Sequence, residues 1–197
     1  MNLEQHIKKN AIKPHILSQS NIPKPLHGVN PRSIMGKEKW DVVRREVYAS
    51  TGYRCAACGV HKDDAMFHKW LEAHEDYEID HESAIMTVRS MVPLCHSCHS
   101  FVHSGFLFVQ LERGEKSKSE VAIILDHGFG ILKSARLPAF VGLKNVIKAS
   151  GWSGSWSGGW LHPRESSKRW DEWVMIWEGE KFPAKFKSYD EWVRFYR

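Results

Sequence analysis

The four cysteines of this 197-residue chain fall as two Cys-x-x-Cys pairs, Cys55-Ala-Ala-Cys58 and Cys95-His-Ser-Cys98, with thirty-six residues between them. Two thiolates three residues apart can grip one ion, and two such pairs supply the four sulfurs of a tetrahedral zinc site. A structural zinc of this kind contributes on the order of 10–16 kcal/mol of folding free energy at neutral pH, comparable to the stability of a whole domain. A redox Cys-x-x-Cys would not need a second pair. The second pair runs on into His99 and His103, and LEAHE at 71–75 offers His74 flanked by Glu72 and Glu75. Residues four apart share a helix face, so His99 and His103 can point to one spot and begin a second metal site.

The elements that must hold these side chains follow from local pattern. Trp40, Val43 and Val47 recur at helical spacing from Lys37 to Ser50, and Gly52 supplies a helix-ending residue before Cys55. HKWLEAHE at 68–75 reads as an amphipathic strand and AIMTVRSMVPLC at 84–95 as its partner, with DYEIDHES between them as the connection. After the second cysteine pair, HSCHSFVHSGF reads as a short helix closed by Gly105. A zinc knuckle, a two-stranded hairpin and a helix leaving the second knuckle make a ββα-metal unit.

With that unit assembled, the stretch from about Trp40 to Gly105, a third of the chain, resembles the HNH (ββα-metal, treble-clef) endonucleases. The resemblance rests on Cys55-x-x-Cys58, the histidine-bearing strand LEAHE, and Leu94-Cys-x-x-Cys-His99 followed by His103 and Gly105. It implies a metal-dependent endonuclease that hydrolyses DNA phosphodiester bonds. By the family's pattern His74 is the general base and His99 with His103 holds a catalytic divalent metal, Mg²⁺ or another ion, beside the structural Zn²⁺ on Cys55, Cys58, Cys95 and Cys98. Glu75 completes the metal site or orients the histidine, with Glu72 a weaker candidate. Phosphodiester hydrolysis wants an imidazole that is neutral near pH 7 as base and a cation on the scissile phosphate. The family's commoner pattern has Asp-His on the first strand, where this chain has Ala73-His74. Asp80-His81 matches that dipeptide literally, but only thirteen residues separate His81 from Cys95, short for a hairpin, against twenty for His74. The opposite assignment, His74 as a metal ligand with Glu75 as the base, stays open.

The remaining sequence frames this unit. Residues 1–36 read as an irregular N-terminal arm, punctuated by Pro14, Pro23, Pro25 and Pro31; residues 37–111 as the nuclease domain; and residues 112–197 as an aromatic-rich accessory region. At the end of the 37–111 domain GFLFVQL at 105–111 reads as a short strand leaving the core. Ser117 with Glu120 is a capping box that opens a helix, WVMIWEGEKFPAKF is a hairpin turning near Glu178-Gly179, and Ser188 with Glu191 caps a terminal helix. Trp152, Trp156 and Trp160 sit in a Gly/Ser stretch read as a connector whose rings pack back on the body. The fold class is therefore α+β.

A net charge of +5 and a pI near 9.0 suit a polyanionic partner, here DNA. No small-molecule partner is implied. The start, MNLEQHIKKN, has no apolar core of signal-peptide length, and no apolar run of membrane-spanning length follows. That reads as a cytoplasmic protein, nucleoid-associated or phage-type, with no membrane partner, and it favours metal over disulfides for the cysteines. His6, His15, His27, His61, His68, His96, His127 and His162 receive no role. The competing class is a non-catalytic zinc-ribbon module that binds nucleic acid or a protein, keeping the cysteines and needing none of the rest.

Overall fold

The computed structural model describes residues 12–163 and 165–196. The irregular leader expected over residues 1–11 lies outside these described residues. In chain order there are 3₁₀ turns at Pro14–Ser18 and Lys24–Leu26, helices α1 (Pro31–Met35) and α2 (Lys37–Ser50), and strands β1 (Glu72–Asp80) and β2 (Ile85–Leu94). Helices α3 (His96–Val102), α4 (Ser104–Glu112) and α5 (Lys118–Ala135) follow, then β3 (Ala139–Phe140), α6 (Leu143–Ser150) and β4 (Trp160–Leu161). Strands β5 (Val174–Trp177) and β6 (Glu180–Pro183) and helix α7 (Tyr189–Tyr196) close the chain. The architecture is mixed α+β.

Two compact units interleave along the sequence. Among the described residues one gathers 12–21, 47–74 and 92–163; the other gathers 22–46, 75–91 and 165–196. Each is built from three separated segments, with three of the boundaries falling inside α2, β1 and β2.

The first unit is a helical core fed by the cysteine knuckles. Ile16, Leu17, Leu94, Phe101, Leu107, Ile124, Leu125, Leu132, Leu143 and Val146 are buried together. The capping box that opens α5 is formed as its sequence requires: Ser117 accepts from the Glu120 amide at 3.2 Å, and the Glu120 carboxylate accepts from the Ser117 amide at 2.8 Å. The strand expected at 105–111 is instead helix α4, which buries Leu107 and leaves Phe106 at the surface. A nearly continuous apolar run carries no clear period, so its pattern alone cannot separate strand from helix. The single helix expected up to Gly105 is likewise broken: His103, at φ −85° and ψ 48°, divides α3 from α4, and Gly105 lies inside α4. Trp152 and Trp156 pack on Phe129, each with ring centroids 4.9 Å away.

The second unit is built on a sheet of order β1-β2-β5-β6. Here β2 runs parallel to β5, with Met86 opposite Met175, and β5 turns back antiparallel into β6. Glu178 and Gly179 both take positive φ at that turn, the geometry a tight hairpin of right-handed twist needs. Leu26, Tyr77, Met86, Val88, Trp173 and Met175 form its core. The Ser188 hydroxyl accepts from the Glu191 amide at 3.2 Å at the start of α7.

Two sequence expectations move. The first strand is Glu72–Asp80 rather than 68–75, so DYEID extends it and only His81–Ala84 form the turn. Asp76 and Tyr77 are buried there, so side chains that look like loop chemistry are used inside a strand. The N-terminal arm is also less irregular than its prolines suggest. Pro14 and Pro31 sit at the first positions of short helical turns, where a missing N–H costs nothing, and Ile16, Leu17 and Leu26 are fully buried.

Candidate metal centres

The first centre is the cysteine cluster. A short two-stranded turn presents Cys55 and Cys58: the Cys55 amide donates to the Val60 carbonyl at 2.9 Å, and Gly59, at φ +78°, lets the chain turn back just after Cys58. The Ala56 amide then donates to the Pro93 carbonyl at 2.7 Å, which ties this turn to the end of β2 just before Cys95. Cys95 is the extended residue that caps the start of α3, and Cys98 lies in the helix's first turn. The four sulfurs all lie within 4.8 Å of one another, and Cys58 Sγ is 3.8 Å from Cys95 Sγ. A tetrahedral zinc with bonds of about 2.3 Å holds its sulfurs about 3.8 Å apart. Hydrogen bonds from Cys58, Cys95 and Cys98 hold the Cys55 thiol far below the usual range, while Cys55 and Cys58 push Cys95 and Cys98 up. Cys58 is lowered as well, so two thiolates are favoured and two opposed, and ionising all four needs a cation among them. The set can hold zinc.

His127, given no role by the sequence, comes from α5 with Nε2 at 3.3 Å from Cys98 Sγ and 4.0 Å from Cys95 Sγ. Its signal was invisible because nothing in the sequence places α5 over the knuckles.

The second centre is made of imidazoles. His74 is the third residue of β1, His99 follows Cys98 in α3, and His103 is the non-helical residue between α3 and α4. Each offers one nitrogen to a group in which all lie within 4.8 Å. His74 Nδ1 is 3.2 Å from His103 Nε2, and the His99 and His103 ring centroids are 4.5 Å apart. Two nitrogens bound to one divalent ion at about 2.1 Å stand roughly 3.0–3.4 Å apart, so the spacing suits a shared ion. His74 is fully buried, with its other nitrogen, Nε2, donating to Gln19 Oε1 at 3.1 Å. Burial, and then the charges of His103 and His99, hold His74 well below the usual histidine range. Burial and the charge of His99 push His103 down to about 3. Neutral imidazoles with lone pairs available are what a divalent ion requires.

Comparison with protein-family models, curated proteins and solved structures returns no match. Function here rests on the side chains.

The carboxylates divide. Glu75 follows His74 on β1, so strand alternation turns it to the other face, and it stands outside the three-histidine group. Glu72 lies two residues before His74, on the same face, with Oε2 at 2.7 Å from His99 Nδ1 and Oε1 at 2.8 Å from His96 Nδ1. Burial pushes this carboxyl up, but the hydrogen bonds from His96 and His99 and their charge outweigh it and hold Glu72 well below the usual range. His68, His96 and Glu72 form a further convergent group, so two histidines the sequence left idle are engaged. His81 sits in the β1–β2 turn beside Trp173, ring centroids 5.6 Å apart, outside every histidine cluster.

Proposed function

We propose that this chain is a metal-dependent phosphodiester hydrolase of the HNH type acting on DNA, with one zinc on Cys55, Cys58, Cys95 and Cys98 and one catalytic divalent ion on His74, His99 and His103. The observation that carries the reading is the convergence of three imidazoles from β1, α3 and the α3–α4 junction, next to the cysteine cluster on the same helix. In this reading His74 is a ligand, the second of the two assignments its sequence leaves open, because Gln19 occupies its Nε2 and its Nδ1 faces His103. A divalent ion there supplies a Lewis acid and a charge clamp for a phosphodiester. The chain's own contribution is to hold the hydrogen of His74 at Nε2 on Gln19 and to keep the His74 and His103 rings neutral by burial. The net charge of +5 favours a polyanionic substrate.

The test is plasmid nicking with and without Mg²⁺, Mn²⁺ or Ni²⁺, run alongside metal counting by native mass spectrometry for wild type, His74→Ala and His99→Ala. The ligand assignment expects His74→Ala to lose both cleavage and the second ion. A His74→Ala protein that keeps the second ion but cannot cleave returns His74 to the role of base. Wild type that cleaves under no ion removes the nuclease reading.

One observation favours a variant of the competing class, one that uses the histidines as well as the cysteines. His74 is fully enclosed, which suits a second structural ion in a zinc-ribbon module that binds nucleic acid or protein without cutting it. That reading expects two bound metals, metal-stabilised folding and no cleavage.

A further inference from the structure

Glu72 gathers three imidazoles on one carboxylate. Its Oε2 faces His99 Nδ1 at 2.7 Å, and its Oε1 faces His96 Nδ1 at 2.8 Å and His68 Nε2 at 3.3 Å. An ionised carboxylate only accepts and has room for about four hydrogen bonds, so the His96 and His99 nitrogens donate to it, while His68 stands at ion-pair distance. The far side of His96 settles its tautomer independently. The buried Lys116 ammonium, which can only donate, lies 2.9 Å from His96 Nε2, so that nitrogen accepts and the ring hydrogen is on Nδ1. His68 is held flat against Trp70, ring centroids 3.6 Å apart and planes parallel.

We propose that Glu72 is the positioning residue of the three-histidine centre: held by His96 and His68, and backed by Lys116, it fixes His99 with its hydrogen on Nδ1 and leaves Nε2 as the nitrogen that binds the ion. This deepens the metal-site reading above and rests on it. A carboxylate on the far nitrogen of a metal-binding histidine fixes the ring's orientation and raises its basicity, and losing it typically weakens metal binding about 10–100-fold. His68, Glu72 and His96 could themselves be taken for a metal site, since their ligand atoms also converge within 4.8 Å. Lys116 opposes that. An ion on His96 Nδ1 would force the ring hydrogen to Nε2, directly against an ammonium that has no lone pair to receive it.

The full-length, zinc-loaded protein titrated with Co²⁺ and followed by visible absorption tests this. Wild type should take one Co²⁺ beyond zinc. Glu72→Gln should bind it about 10–100-fold more weakly and with an altered spectrum, while its zinc content is unchanged. Excess metal should restore nicking to Glu72→Gln and not to His99→Ala. Equal Co²⁺ affinity and spectrum in Glu72→Gln and wild type would overturn the proposal. Long-range ¹H–¹⁵N correlation on the wild type needs no variant: His96 and His99 should both carry Nδ1–H, and an Nε2–H on His99 would overturn it as surely. Uptake of two Co²⁺ beyond zinc, one of them lost in His68→Ala, would replace the positioning role with a metal site. Uptake of none would defeat the three-histidine reading itself.

Discussion

His127 Nε2 lies 3.3 Å from Cys98 Sγ, which places an imidazole from the middle of α5 against a sulfur of the cysteine cluster. An N–H aimed at a thiolate is a charge-assisted hydrogen bond, worth about 1.5–3 kcal/mol. His127→Phe keeps the bulk and removes the donor. Zinc release to a chromophoric chelator is expected to quicken about 10–100-fold. Unchanged release would mean the ring merely packs there.

Stripping the cysteine cluster should cost the first unit its fold. Binding on the order of 10–16 kcal/mol exceeds or matches the roughly 5–15 kcal/mol that holds a typical protein together. Far-UV circular dichroism of Cys58→Ser, or of wild type after prolonged chelation, should show lost helix. Retention of the full helical signal in metal-free protein would count against a structural zinc.

Two glycines of α5, two residues apart, should respond with opposite signs to alanine. A Cβ on Gly128 would stand 2.1 Å from the ring of Phe101, whereas one on Gly130 meets nothing within 4 Å. Overpacking should make Gly128→Ala unstable by about 1–3 kcal/mol or more, and Gly130→Ala should stabilise by about 0.4–1 kcal/mol. Urea denaturation of both variants checks the pair.

Acid should weaken the second unit through His27. Its ring is satisfied as the neutral form, with Nε2 donating to the Ile22 carbonyl at 3.0 Å and Nδ1 accepting from Trp192 Nε1 at 3.0 Å. Burial, opposed by the Ile22 bond and aided by the Lys24 charge, lowers it from its usual 6.5. The unfolded chain therefore binds this proton more readily than the folded one. The stability it contributes is whole above about pH 6.5 and drains away as pH falls below that value. The wild-type unfolding midpoint should fall between about pH 7.5 and 5.5 by more than that of His27→Phe, which has no such proton to bind. Equal slopes would exclude His27.

Much of this was legible in the chain itself, where the signals were local. The two Cys-x-x-Cys pairs meet, Ser117 with Glu120 starts α5, and Glu178-Gly179 turns the β5–β6 hairpin. What escaped depended on distant partners. GFLFVQL is apolar except for Gln110 and shows no clear period, so packing of Leu107 decided for helix. The acidic DYEID reads as loop until Tyr77 is seen in a core. Glu72, His96 and His127 look incidental because their partners stand 24 or more positions away (His96 from Glu72, His127 from Cys98) or, like Lys116, in a segment with no motif of its own, and His68, four residues before Glu72, carries no signal until Glu72 has one.

Cys98 and His99 are consecutive residues on a single turn of α3. One belongs to the sulfur cluster and the other to the imidazole cluster, so neither can shift without dragging its neighbour. Oxidation of a thiol that released a bound zinc would therefore disturb His99 as well, so a change among the sulfurs would be felt among the imidazoles.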